Sequence, residues 1–285
     1  MKPSDQPPEI FDRRRRRALR GRAACLHGDG FLWQYVADEL TERLALVSRE
    51  FQDTLIIGPM ARHAAGIIGE RQSAVSFACL SEAEAAVATI AEEDRLPFDP
   101  ASFDLVIAGG TFDSVNDLPG ALVQIRRILR PDGLFLGHMF GAGSLATLKS
   151  LMIATGGDTA APHIHPQIDL RSAANLLSRA GFNLPVADID IMPVRYGDWR
   201  SIVADIRDAG IGNALAGPRR YAGKAMPGKL DAEWQKRRDP SGKVEEQYVH
   251  VFLSGWAPSP DQPKPAPRGS GMISLASVLP APAKS

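Results

Sequence analysis

Cysteine is scarce in this chain of 285 residues. Its two cysteines, Cys25 and Cys79, are too few for a disulfide scaffold and too far apart in sequence for a zinc knuckle. No apolar run approaches the roughly 18–20 residues that span a bilayer. The basic run Arg13 to Arg17 is not followed by an apolar segment, so it does not resemble a secretory signal. The sequence therefore predicts a cytoplasmic protein without a transmembrane segment.

The chain also has no net charge. Lys plus Arg number 33 and Asp plus Glu number 33, so no overall field attracts nucleic acid or membrane. Aromatic residues do not interleave with the basic segments, and we therefore predict no nucleic-acid partner. The hydrophobic fraction of 44% is that of an ordinary globular protein, so a sizeable core is expected.

Composition divides the chain into three parts. Residues 1–29 form a basic arm with eight Lys or Arg against four Asp or Glu. We expect a solvated lead-in helix there, and a contact surface for an anionic partner is the alternative. Residues 30–257 carry the periodic apolar pattern of one domain. Residues 258–285 contain seven prolines and predict a disordered or extended tail.

Short apolar runs alternate with amphipathic stretches through the domain. Such continuous apolar strands, separated by helices, pair in parallel with both faces covered, which predicts an α/β doubly wound Rossmann-like sheet. The expected strands cover 54–57, 74–79, 103–108, 134–140, 186–192 and 248–256. The expected helices cover 31–49, 61–68, 81–91, 144–154, 170–180, 198–209 and 230–238, with a further one capped by Asp117.

Ligands of such sheets bind at the carboxyl ends of the strands. The loops after Ile57, Cys79, Ala108 and Phe140 are therefore the candidate site. The fingerprint Gly-x-Gly-x-x-Gly is absent after the first strand, which argues against a nicotinamide-dependent dehydrogenase.

Several segments carry a more specific signal. They are Leu96-Pro97-Phe98, Phe103-Asp104-Leu105-Val106, Val115-Asn116-Asp117-Leu118-Pro119, Ile128-Leu129-Arg130-Pro131-Asp132-Gly133, Ser178-Arg179-Ala180-Gly181-Phe182 and Gly255-Trp256. In this order, they resemble a class I S-adenosylmethionine (SAM) methyltransferase, in the branch of the mitochondrial complex I assembly factor, an arginine hydroxylase, and its alphaproteobacterial relatives. The resemblance implies a mostly parallel sheet with an antiparallel C-terminal strand. It also implies SAM as cofactor and a protein acceptor, a subunit of respiratory complex I.

The resemblance also locates a cofactor site, and this chain departs from it. Where the family has three spaced glycines after the first strand, this chain has Gly58, Met60 and Arg62. Gly58 is either a remnant of that loop or a plain turn between a strand and a helix. The acid that holds the ribose in the family corresponds to Cys79, which the residues alone predict to be a buried structural cysteine.

By the same resemblance, the cofactor-binding residues would be Gly58, Cys79, Glu92, Glu93 and Ala108. The acceptor would pass Asp113 and His163.

Three interpretations of His163 stay open: loop packing, substrate contact, or a metal site together with His165 and Asp169. Of these interpretations, packing within the loop is favoured over substrate contact, and a metal site is the least favoured. We therefore predict no bound metal. Residues 219–238 contain seven basic residues against two acids, which fits a docking surface for an acidic protein or a solvated face.

Two functions follow. The first is a SAM-dependent methyltransferase-like enzyme acting on a protein acceptor during respiratory complex assembly. The second is a non-catalytic assembly or adaptor protein that kept the fold and lost the cofactor.

Overall fold

A computed structural model of the chain describes residues 9–26, 30–64, 74–79, 88–156, 165–218 and 223–262. Within these residues, seven strands form one sheet in the order β3-β2-β1-β4-β5-β7-β6. The strands are β1 (Asp53–Ile57), β2 (Ala74–Cys79), β3 (Thr89–Ile90), β4 (Phe103–Gly109), β5 (Leu129–Phe140), β6 (Asn183–Tyr196) and β7 (Val244–Trp256).

Strand direction follows the doubly wound pattern. The pairs among β3, β2, β1, β4 and β5 are parallel, whereas β7 runs antiparallel to both β5 and β6. This confirms the predicted mostly parallel sheet with an antiparallel C-terminal strand.

Helices cover both faces of the sheet. They are α1 (Arg13–Cys25), α2 (Phe31–Ala45), α3 (Leu118–Ile128), α4 (Ala146–Gly156), α5 (Leu170–Ala180), α6 (Trp199–Asp208) and α7 (Met226–Arg237). The core lies in two layers because side chains of a strand alternate between faces. In β4, Leu105 and Ile107 join the layer under α2, and Val106 and Ala108 join the layer under α3 and α5.

Local signals fix several helix ends. Asp117 caps α3 as predicted, since its side chain accepts a hydrogen bond from the Gly120 N–H at 2.8 Å. Asp12 and Asp169 cap α1 and α5 in the same way. Gly181 closes α5 in the left-handed conformation that glycine adopts without strain.

Several expected boundaries differ from the structure. The strand predicted at 134–140 begins at Leu129, because its pairing with β4 continues across a register shift. A helix was predicted at 81–91, but Thr89–Ile90 form strand β3. Residues 81–87 lie outside the described residues. The predicted helix at 61–68 is a short 3-10 helix, Pro59–His63, as far as the chain is described there.

The basic arm contains the predicted helix, α1, but the expectation of a solvated helix was wrong. Arg16 and Arg20 are each only 6% exposed. Most of the proline-rich tail lies outside the described residues. In the described part of the chain, no helix is both long and apolar enough to cross a membrane.

Candidate functional site

The centre of the site is the place where β1 and β4 end side by side. Gly58 follows β1 with φ of +99°, and a Cβ added there would lie 2.5 Å from the carbonyl oxygen of Gly109. Only glycine fits this turn without displacing backbone. The Gly58 N–H donates to the Ala78 carbonyl at 3.0 Å, so the turn is also tied to β2.

Two large side chains fill the space above this turn. Met60 is fully buried, and a Cβ added at Gly109 would collide with it. Trp33 of α2 is 4% exposed, and its ring covers Gly110 in the same way. The glycines that would let a ligand approach the β4 end are therefore covered by protein side chains.

Acidic residues follow β3 on the same edge. Glu93 is 2% exposed and Glu92 is 9% exposed. The Thr111 hydroxyl, from the loop after β4, donates to the Glu93 carboxylate. The chain thus brings two buried carboxylates to the edge where the resemblance predicts the cofactor.

Arginine side chains of α1 form salt bridges with both carboxylates. Arg16 donates to both oxygens of Glu93, at 2.6 and 2.8 Å, in the bidentate geometry that fits guanidinium to carboxylate. The same side chain donates to the Thr111 carbonyl at 2.6 Å and to the Ser114 hydroxyl at 2.8 Å. Arg16 therefore links α1 to both the β3 and the β4 ends.

The neighbouring arginines extend this contact. Arg13 and Arg17 both pair with Glu92, and Arg13 also donates to Asp94 at 2.6 Å. Arg20 donates to the Ala209 carbonyl at 3.1 Å and lies 5.7 Å from the centre of the Trp33 ring. Helix α1 thus lies across the carboxyl edge of the sheet, held by charge-assisted hydrogen bonds.

SAM, the cofactor that the resemblance implies, does not fit these described residues. Both carboxylates that the resemblance predicts to bind the cofactor already accept hydrogen bonds, Glu93 from Arg16 and Thr111 and Glu92 from arginines of α1. The methionyl group needs open backbone at the strand end, but Met60 and Trp33 fill that space.

The structure places the remaining predicted cofactor residues at the same edge. Cys79 ends β2 at 6% exposure, and its carbonyl accepts from the Ala91 N–H at 2.9 Å. Ala108 is fully buried near the end of β4, in the core layer under α3. Their cofactor role stays a prediction.

A cavity opens beside α1, next to the filled cleft. Its volume is about 40 Å³, room for a few water molecules, and it lies between α1, the ends of β4 and β5, and residues 210–214. Asp113 and His165 both line it. The predicted substrate residue Asp113 therefore lies in the wall of a small, open cavity.

Asp113 and His165 hold each other in place. The Asp113 Oδ1 accepts from the Phe140 N–H at 2.6 Å, and the His165 Nε2 lies 2.7 Å from the Asp113 carbonyl oxygen. Burial raises the pKa of the Asp113 carboxyl and lowers the pKa of the His165 imidazole. Both shifts favour the neutral forms of the two groups.

His163, the other predicted substrate residue, lies outside the described residues. Its sequence neighbour His165 takes a place in the cavity wall, which the spacing alone did not indicate. Asp169, weighed as a metal partner, instead caps α5 by accepting from the Ser172 N–H at 2.9 Å. Among the residues that the structure describes, no three His, Cys, Asp or Glu side chains come together as a metal site.

Comparisons with known proteins agree with this architecture. The family model described as "Methyltransferase domain" matches residues 59–137. The crystal structure of a candidate methyltransferase from Bacillus halodurans shares the fold, with a TM-score of 0.52 over 78% of this chain and 98% of its own. Because the sequence identity is only 12%, this similarity supports the fold and nothing about function.

Curated relatives are closer in sequence. The zebrafish (Danio rerio) protein named arginine-hydroxylase NDUFAF5, mitochondrial, is 32% identical over 96% of this chain and 91% of its own length. A malonyl-[acyl-carrier protein] O-methyltransferase from Methylovorus is 30% identical over 87% of this chain and 90% of its own. The chain belongs to the methyltransferase-domain family that includes the mitochondrial NDUFAF5 arginine hydroxylases.

Proposed function

We propose that this chain is a non-catalytic member of its family, an adaptor that binds a protein partner and works without SAM. The observation that carries the proposal is the contact of Arg16 with Glu93, Thr111 and Ser114. Through this contact, Arg16 donates the hydrogen bonds that the Glu93 carboxylate and the Thr111 carbonyl could otherwise accept from a nucleoside.

Displacing α1 would be costly. A ligand that reached Glu93 would first have to separate a buried ion pair, and an unpaired buried charge costs about 3–5 kcal/mol. It would also have to move Met60 and Trp33 out of the core. In a family member whose loop is open, cofactor binding requires neither the separation of an ion pair nor the movement of core side chains.

The partner that the resemblance implies is a respiratory complex I subunit. A basic surface on and around α7 supports a protein contact, since Lys224 and Lys229 are exposed. Both acids of that segment are already paired, Asp231 with Arg200 and Glu233 with Lys236. The surface therefore favours an acidic face on the partner. We place the protein in the cytoplasm, although the zebrafish relative is named as mitochondrial.

The second candidate is an enzyme that modifies a protein acceptor. The cavity beside Asp113 favours it, because an acceptor group could enter there next to the strand ends. The names of the relatives, an arginine hydroxylase and an O-methyltransferase, point the same way.

Calorimetric titration with SAM and with S-adenosylhomocysteine separates the two candidates. The non-catalytic function predicts no binding to the native protein at millimolar ligand. The variant Met60→Gly, Arg62→Gly should not bind either, because Arg16 still holds Glu93 and Trp33 still covers Gly110. Micromolar binding to the native protein would overturn the proposal and support the enzyme.

A further inference from the structure

Strand β6 forms an open edge of the sheet. One side of it pairs with β7, and no strand of the described chain pairs with its outer side. Within the described residues, the backbone of 186–195 also makes no backbone hydrogen bond to a loop or a helix. Every second residue of β6 therefore directs its N–H and C=O outward, to the position that a further strand would take.

Apolar side chains are exposed along this edge. Four of them, each between 43% and 62% exposed, are Leu184, Val186, Ile189 and Ile191. The acids of the strand are directed elsewhere, since Asp188 pairs with Arg43 and Asp190 accepts a hydrogen bond from the Tyr35 hydroxyl, both on α2. Their charges therefore do not oppose the approach of an apolar strand.

Two prolines limit the part of β6 that can pair. Proline has no N–H to donate, and Pro185 and Pro193 stand on either side of residues 186–192. This stretch of seven residues is the open part of the edge. An uncovered apolar edge promotes aggregation, so a segment that covers it would protect the protein.

The tail contains a segment of matching length and character. Six of the eight residues in 272–279 are apolar and the other two are serines, so the segment has no charge, no glycine and no proline. Short apolar segments without charge or proline have the composition that adds to exposed strand edges.

The last described residue lies beside the start of β6. The Gln262 Oε1 accepts a hydrogen bond from the Asn183 Nδ2 at 2.6 Å. The nine residues 263–271 then lead to the apolar segment, and they span at most about 30 Å. An antiparallel strand would start beside Met192, about 30 Å along β6, whereas a parallel strand would start beside Val186, about 10 Å along. The linker therefore favours the parallel direction.

We propose that residues 272–279 add to the sheet as an eighth strand, parallel to β6, and cover its open edge. The tether at Gln262 gives the segment an effective concentration of about millimolar at the edge, which favours it over a second copy of the chain. The inference does not depend on whether SAM binds.

Hydrogen exchange of the full chain, resolved to single amides, tests this cover. The outward amides of residues 186–192 should be protected in the native chain. The double variant Ile273→Asp, Leu275→Asp should make them exchange about tenfold faster or more, because charged side chains do not pack on the apolar edge. The matched control is Ala266→Asp, Ser270→Asp, which adds the same charge to the linker and should exchange like the native chain. Equally fast exchange in the native chain and in the first variant would overturn the proposal.

Two further measurements separate the tail from other arrangements. Protection that falls when the protein is diluted would assign the edge to a second copy of the chain and overturn the proposal. A spin label on Ser270→Cys, in a chain whose exposed Cys25 is replaced by Ser, reports where the segment begins. NMR signals should broaden most near Val186, and the strongest broadening near Val194 would refute the parallel pairing.

Discussion

The ion pair between Arg16 and Glu93 gives the sharpest prediction about stability. Both side chains are buried, at 7% and 2% exposure, and they share two hydrogen bonds. Among the described residues, replacing Arg16 by Met leaves the buried Glu93 carboxylate with the Thr111 hydroxyl as its one remaining side-chain donor. Breaking a buried pair in this way costs about 3–5 kcal/mol. That loss is a large share of the 5–15 kcal/mol that stabilises a typical domain.

Urea unfolding followed by circular dichroism measures this loss directly. The double variant Arg16→Met, Glu93→Met should recover most of the stability, because no charge is then left unpaired. The matched control is Arg17→Met on the same helix. Arg17 is 51% exposed, so its pairing with Glu92 should contribute less than about 1 kcal/mol. Equal, small losses in Arg16→Met and Arg17→Met would refute the placement of α1 in the cleft.

Two further predictions concern the core and the central turn. Burial lowers the pKa of His250 to about 4 and that of its partner His138, 2.9 Å away, well below the usual value. The unfolded chain therefore binds more protons below pH 6.5, and the free energy of unfolding should fall by about 2 kcal/mol from His250 alone between pH 7 and pH 5. Denaturant titrations at the two pH values check this, and a loss that persists in the double variant His138→Leu, His250→Leu would contradict the assignment. Gly58→Ala should cost about 2 kcal/mol or more, because φ is +99° and the added methyl would meet the Gly109 carbonyl. Gly228→Ala, in α7 with open space around it, should instead gain up to about 1 kcal/mol, and equal effects of the two substitutions would refute the tight turn.

Much of the fold could be predicted because its signals are local. Helix α5 has the predicted bounds, since Asp169 and Gly181 cap its two ends. The run Phe103–Gly109 is buried at every residue, as expected for a central parallel strand. The start of β5 was missed because Arg130 to Gly133 has the composition of a turn, while pairing with β4 keeps it in the sheet.

The site depended on contacts that the sequence does not show. The partners Arg16 and Glu93 lie 77 positions apart, so a helix rich in arginine predicted solvation rather than burial. The acids Glu92 and Glu93 were found through the resemblance, but their arginine partners were not. His165 entered the cavity wall because a loop brings it to Asp113, 52 positions away.

A crystal structure grown with millimolar S-adenosylhomocysteine would show whether packed protein has replaced the cofactor cleft. We expect α1 to stay in place, with Arg16 bonded to Glu93 and no nucleoside at the ends of β1 and β4. A nucleoside bound at Glu93, with α1 displaced and Met60 moved away from Gly109, would contradict this proposal.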